Sequence, residues 1–182
     1  MKDLAQKALT TTNTAERSKI KHVFGNSPEY NTISVMANML ATIDPVLGAD
    51  NVALTDQPGT YGTAINGVLF LLSTLFHAQA TGVRQRARTV IHESSHILPD
   101  PFKTFDYWGL DANGDVHGIT KDDLPKYTTW IYGYWHAGYS ELRTEFSNFM
   151  HLNADTWAVF GYYCLYNQDP PAGTTAGANW TP

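Results

Sequence analysis

Residues 83–98 read VRQRARTVIHESSHIL, preceded by Thr81-Gly82 and followed by Pro99 and Pro101. Val83, Ala87, Val90, Ile91 and Ile97 recur at helical spacing, and the prolines forbid the helix from continuing. Inside it stands His92-Glu93-Ser94-Ser95-His96. Residues four apart share a helix face, so both imidazoles can reach one ion. Zinc takes nitrogen ligands at about 2.0–2.1 Å in tetrahedral geometry, and a catalytic site keeps one position for water. Glu93 then sits beside that water. The metal brings the water's pKa toward about 7, and the carboxylate takes its proton and returns it to the leaving amine. Chance gives about 0.007 such matches in a chain with this His and Glu content. Val90, Ile91 and Ile97 would keep the site dry.

Around this helix the composition is that of one globular domain. The chain has 182 residues, 43% hydrophobic and 16% charged, which supplies a core and argues against disorder. A formal charge of −5 and a pI near 5.7 argue against nucleic acid or anionic lipid as partner. A single cysteine, Cys164, excludes an intrachain disulfide and a multi-thiolate zinc site. The longest apolar run, Val68 to Leu72, falls far short of the roughly 20 residues that cross a bilayer, so no membrane insertion is expected. Residues 1–20 lack the apolar stretch of a secretory signal. The expectation is an exported or extracellular mature form, with a cytoplasmic one also compatible, and a monomer.

The pattern predicts a helix over 2–24, a break at Gly25-Asn26-Ser27-Pro28, and a second helix from Tyr30 to Ile43 ended by Asp44-Pro45. Asn51 to Thr55 reads as a short strand, and Gly67 to Phe76 as a buried strand or the start of a helix. Residues 102–129 read as loop, and Ser140 to Tyr166 as one or two helices. Residues 1–166 form a single domain in this reading, and 167–182, rich in Pro, Gly and Thr, a loose tail.

Residues 65–98, INGVLFLLSTLFHAQATGVRQRARTVIHESSHIL, are joined downstream by Lys103-Thr104-Phe105-Asp106 and Asn153-Ala154-Asp155-Thr156-Trp157. Together they resemble the aspzincin metallopeptidases, the group of deuterolysin and the peptidyl-Lys metalloendopeptidases. The resemblance implies an α+β, helix-dominated, zincin-like fold with a small sheet and a central HExxH helix. It implies one catalytic zinc on His92, His96 and Asp106, and hydrolysis of internal peptide bonds in a protein or peptide substrate. Asp155 matches an acid near the pocket for the residue after the scissile bond. It reads equally as a structural acid bridging helices. Ala158 stands where lysine-specific members carry a second acid, so lysine-only specificity is not expected. After Asp106 the family's x-x-Tyr-Gly is missing, and the chain continues Tyr107-Trp108-Gly109. A Tyr132-Gly133-Tyr134 occurs later, which implies an insertion of about 107–130 and Tyr132 as oxyanion donor, with Tyr107 as fallback.

The residues leave alternatives open. Glu141, Glu145 or His117 would also serve as third ligand, since oxygen and nitrogen both suit zinc. Asp122 mimics the T-x-D text further along. The stretch 111–123, with Asp111, Asn113, Asp115, Asp122 and Asp123, resembles an EF-hand calcium loop, although Val116 replaces the turn glycine. It reads otherwise as an Asp/Asn/Gly turn. Arg84, Arg86 and Arg88 read as solvated or paired with acidic surface, and His22, His77, His136 and His151 as surface or core residues. Two rival functions are a delivered bacterial toxin or effector metallopeptidase with a narrow protein target, and a non-catalytic, zinc-stabilised binding module.

Overall fold

Three helices open the chain: α1 (Lys2–Leu9), α2 (Thr14–Phe24) and α3 (Tyr30–Thr42). The computed structural model describes residues 1–9, 14–26, 28–43, 62–65, 68–71 and 83–171. The predicted strand at 51–55 and most of the tail lie outside them. Ala5 and Ala8 let α1 lie close on α3, and Ile20, Val23 and Phe24 of α2 turn into the core. Within 67–76, the strand reading holds for β2 (Val68–Leu71), which pairs antiparallel with β1 (Gly62–Ile65).

Helix α4 (Val83–His96) carries the His-Glu-Ser-Ser-His motif in its last turns and packs on α6 (Ala154–Tyr166). Ala154 to Phe160 are all buried, as is Tyr162. A helix apolar on every side belongs inside, and α6 is the hub of the fold. Trp157 and Phe160 meet Phe24 edge-to-face at centroid separations of 5.3 and 5.1 Å. Helix α5 (Tyr139–Glu145) and a 3₁₀ turn (Ser147–Leu152) lead into α6, so the expected helical stretch from 140 to 166 is broken twice.

Residues 102–129 correct the loop expectation. They contain β3 (Tyr107–Leu110), β4 (Val116–Ile119) and a 3₁₀ turn (Lys121–Lys126), and β5 (Thr129–Tyr132) completes a three-stranded antiparallel sheet in the order β4-β3-β5. The glycines that look like loop punctuation lie within strands, pressed by rings. A Cβ on Gly118 would strike the Phe105 ring, and one on Gly109 the Tyr127 ring. The proposed insertion leaves and returns at one place, since Tyr107 is the cross-strand partner of Tyr132. The chain is thus α+β and helix-dominated, with small antiparallel sheets. No helix among the described residues is long and apolar enough to cross a membrane.

Candidate metal centre

Helical geometry places His92 and His96 one turn apart on α4, with ring centroids 5.0 Å apart and planes nearly perpendicular. Asp106 reaches them from the segment entering β3. Its Oδ1 lies 3.2 Å from His92 Nε2 and its Oδ2 3.4 Å from His96 Nε2. Among the described residues these three form the group able to hold a metal ion. Glu141, Glu145 and His117 are not in it. His117 instead faces Asp111, at 3.0 Å, on the exposed hairpin.

Each imidazole is gripped at its far nitrogen. His96 Nδ1 donates to the Thr104 carbonyl at 3.0 Å, and His92 Nδ1 lies 2.7 Å from Asp155 Oδ1. A carbonyl and an ionised carboxylate only accept, so in the neutral rings the proton sits on Nδ1 and Nε2 presents a lone pair. Both Nε2 atoms face the one Asp106 carboxylate, so a proton on a ring or a metal ion shared by the three groups balances its charge. The donor set fits a divalent metal, and N,N,O ligation suits zinc. Burial alone would raise the Asp106 pKa, but the facing imidazoles hold the carboxyl well below its usual range. Burial likewise disfavours charge on His92, and the carboxylates of Asp106 and Asp155 overcome it and raise its pKa.

Glu93, the next residue on α4, is buried, and that burial raises its pKa against the pull of both imidazoles. Among the described residues no protein donor hydrogen-bonds its carboxylate.

The tyrosines sort themselves by strand register. Gly133 N donates to the Asp106 carbonyl at 2.8 Å, which sets Tyr134 beside Asp106. Its hydroxyl lies beside the Asp106 carboxylate and the Tyr107 hydroxyl. Its ring stacks between His92, at 5.9 Å, and His136, at 5.4 Å. Burial and the Asp106 charge push its pKa far up, so the phenol keeps its proton. Tyr132 lies further out, 38% exposed, touching Tyr107 and Trp130. Sequence reasoning misses Tyr134 because Tyr132 and Tyr134, two apart, project on the same side of an extended chain. Only the pairing register separates them.

Asp155 is placed inside the protein, 1% exposed. Its Oδ1 receives Arg88 Nη2 at 2.8 Å as well as His92, and its Oδ2 receives Arg88 Nη2 and Trp135 N, each at 2.7 Å. Arg88, expected to be solvated or paired with the acidic surface, is instead paired with the buried Asp155, its own side chain 10% exposed. The signal that could have found it is its position four residues before His92, on the face that carries both histidines. Asn153 plays the companion role. Its Nδ2 donates to the Gly133 carbonyl at 2.9 Å, and its Oδ1 accepts from Trp108 Nε1 at 3.2 Å. A Cβ on Gly133 would land on that Oδ1.

The stretch 111–123 runs through the β3–β4 hairpin turn and strand β4 into the 3₁₀ turn at Lys121–Lys126. Asp111 Oδ1 accepts from the backbone of Asn113 and Asp115 at 2.8 and 3.0 Å, the geometry of an Asx turn.

Comparison of the chain with protein-family models, curated proteins and solved structures finds no match.

Proposed function

We propose that the chain is a zinc metalloendopeptidase of the aspzincin kind, built on a zincin-like arrangement. The observation that carries this reading is the convergence of His92 Nε2, His96 Nε2 and the Asp106 carboxylate beside a buried carboxyl, Glu93, that no protein donor among the described residues occupies. His92, His96 and Asp106 would hold the ion, and when bound it polarises the scissile carbonyl and acidifies water.

The remaining steps belong to the chain. Glu93, with affinity for a proton raised by burial, accepts one from the attacking water and delivers it to the leaving amine. Tyr134, rather than Tyr132, supplies the protonated hydroxyl beside the centre and donates to the developing oxyanion. The open aromatic face of Trp130 and Tyr132 lies beyond it, where an extended protein or peptide substrate would rest.

The test combines elemental analysis with cleavage of a casein-type substrate. The wild type should carry near-stoichiometric zinc and cut the substrate, and Glu93→Gln should keep the metal and lose hydrolysis. Equal cleavage by Glu93→Gln refutes the mechanism. Zinc without any cleavage by the wild type points to the non-catalytic module.

A further inference from the structure

The acceptor capacity of Asp155 is full. An ionised carboxylate offers about four lone-pair sites, and the side chain receives His92 Nδ1, two contacts from Arg88 Nη2, and Trp135 N, all within 2.8 Å. A substrate cation has neither access nor a vacant site there. Two of these donors belong to machinery already described. His92 is a ligand, and Trp135 follows Tyr134, so a single carboxylate ties helix α4 to the loop that carries the hydroxyl.

We propose that Asp155 is a positioning residue, with Arg88 as its anchor. It fixes the His92 ring with Nε2 toward the metal and holds the 134–135 backbone so that the tyrosine stays over Asp106. Arg88 makes this possible. Approaching both oxygens from α4, 10% exposed, it compensates the buried charge and fixes the carboxylate plane. Arg88, His92 and His96 are spaced four apart, so the anchor, the ligand it serves and the second ligand ride on one rigid face. A histidine whose distal N–H is held by a carboxylate is oriented and made more basic toward its metal, and loss of such a partner typically costs about 10–100-fold in affinity.

The inference rests on the metal-centre reading but not on peptidase activity, so its test reads metal and tautomer. Zinc affinity of the full chain is measured by competition with a chromogenic chelator for the wild type, Asp155→Asn and Arg88→Met. Circular dichroism accompanies each as a check of folding. The expected result is affinity weakened about 10–100-fold in Asp155→Asn, a smaller loss in Arg88→Met, and a shifted visible spectrum of the cobalt-substituted Asp155→Asn chain. Independently of any variant, nitrogen-15 NMR of the zinc-loaded wild type should show His92 protonated at Nδ1. Affinity within twofold of the wild type in a folded Asp155→Asn chain overturns the proposal, as does a His92 protonated at Nε2. A wild type that binds zinc yet cleaves nothing overturns the peptidase reading alone. One that binds no zinc overturns both.

Discussion

Asn153→Ala removes one side chain from a site where nothing can replace it. Asn153 is fully buried, and its amide bonds Gly133 O at 2.9 Å, Thr156 Oγ1 at 3.0 Å and Trp108 Nε1 at 3.2 Å. Trp108 is 1% exposed, so its indole N–H cannot turn to solvent once the acceptor is gone. The Gly133 carbonyl loses its donor in the same change. Each buried polar group left unpaired costs about 1–3 kcal/mol, and two of them give about 2–6 kcal/mol. For a chain of this size each kcal/mol lowers Tm by about 2–4 °C, so a loss near 4 kcal/mol lowers it by about 8–16 °C. Urea unfolding followed by tryptophan fluorescence measures the change as a shift in midpoint at constant slope. Asn153→Asp keeps the acceptor for Trp108 but sets a carboxylate oxygen against the Gly133 carbonyl, and should be at least as damaging. Asn113→Ala, in the exposed hairpin turn, should stay within about 0.5 kcal/mol of the wild type. A loss below about 1 kcal/mol for Asn153→Ala would refute the reasoning, because it would mean that neither partner depends on this amide.

The geometry fixes three further outcomes. Tyr134→Phe should lower kcat about 10²–10³-fold with KM little changed, as loss of an oxyanion donor does, whereas Tyr132→Phe should leave kcat nearly intact; steady-state kinetics on one peptide decides between them. Asp106→Ala should abolish stoichiometric zinc in elemental analysis, and retention would transfer the third-ligand role to Glu141, Glu145 or His117. The Asp123 carboxyl, hydrogen-bonded by Lys126, by the Thr120 hydroxyl and by the Thr120 backbone, has its pKa lowered to about 2. Its capping contribution is therefore complete above the ordinary carboxyl pKa and is lost as pH falls through about 2; an NMR titration of the Asp123 carboxyl reads this midpoint directly.

The helix motif was legible because its signal is local. Four residues of spacing on a helix bring His92 and His96 together whatever the rest of the chain does. Asp106 was legible from the short text around it, and the helical parts from periodicity and breakers. The sheet at 107–132 was not, because Gly109 and Gly118 look like turn residues until the rings that press on them are placed. Tyr134 and Arg88 needed information that one sequence does not carry. The first depends on which residue lies opposite Asp106, and the second on a partner 67 residues away. Asp155 stood out in the sequence as a pocket acid or a bridge between helices. Its burial beside Arg88 places it in the interior, where a bridge belongs.

The site is assembled from four short pieces of chain that hold one another. Helix α4 brings His92, Glu93 and His96. The Thr104–Asp106 segment fixes His96 through the Thr104 carbonyl and is itself held by the end of the 3₁₀ turn and the start of α6, through Phe105 N to Leu152 O at 2.8 Å and Ala154 N to Phe105 O at 3.1 Å. The Gly133–Trp135 loop is pinned at the Asp106 carbonyl, at Asn153 and at Asp155. Asn153 and Asp155 lie two residues apart at the mouth of the buried helix α6, so the text Asn-Ala-Asp serves both sides of the centre at once. One residue ties the tyrosine loop to the sheet, and the other ties it to the helix that carries His92 and His96. A centre braced in this way is held by hydrogen bonds among buried groups drawn from separate pieces of chain.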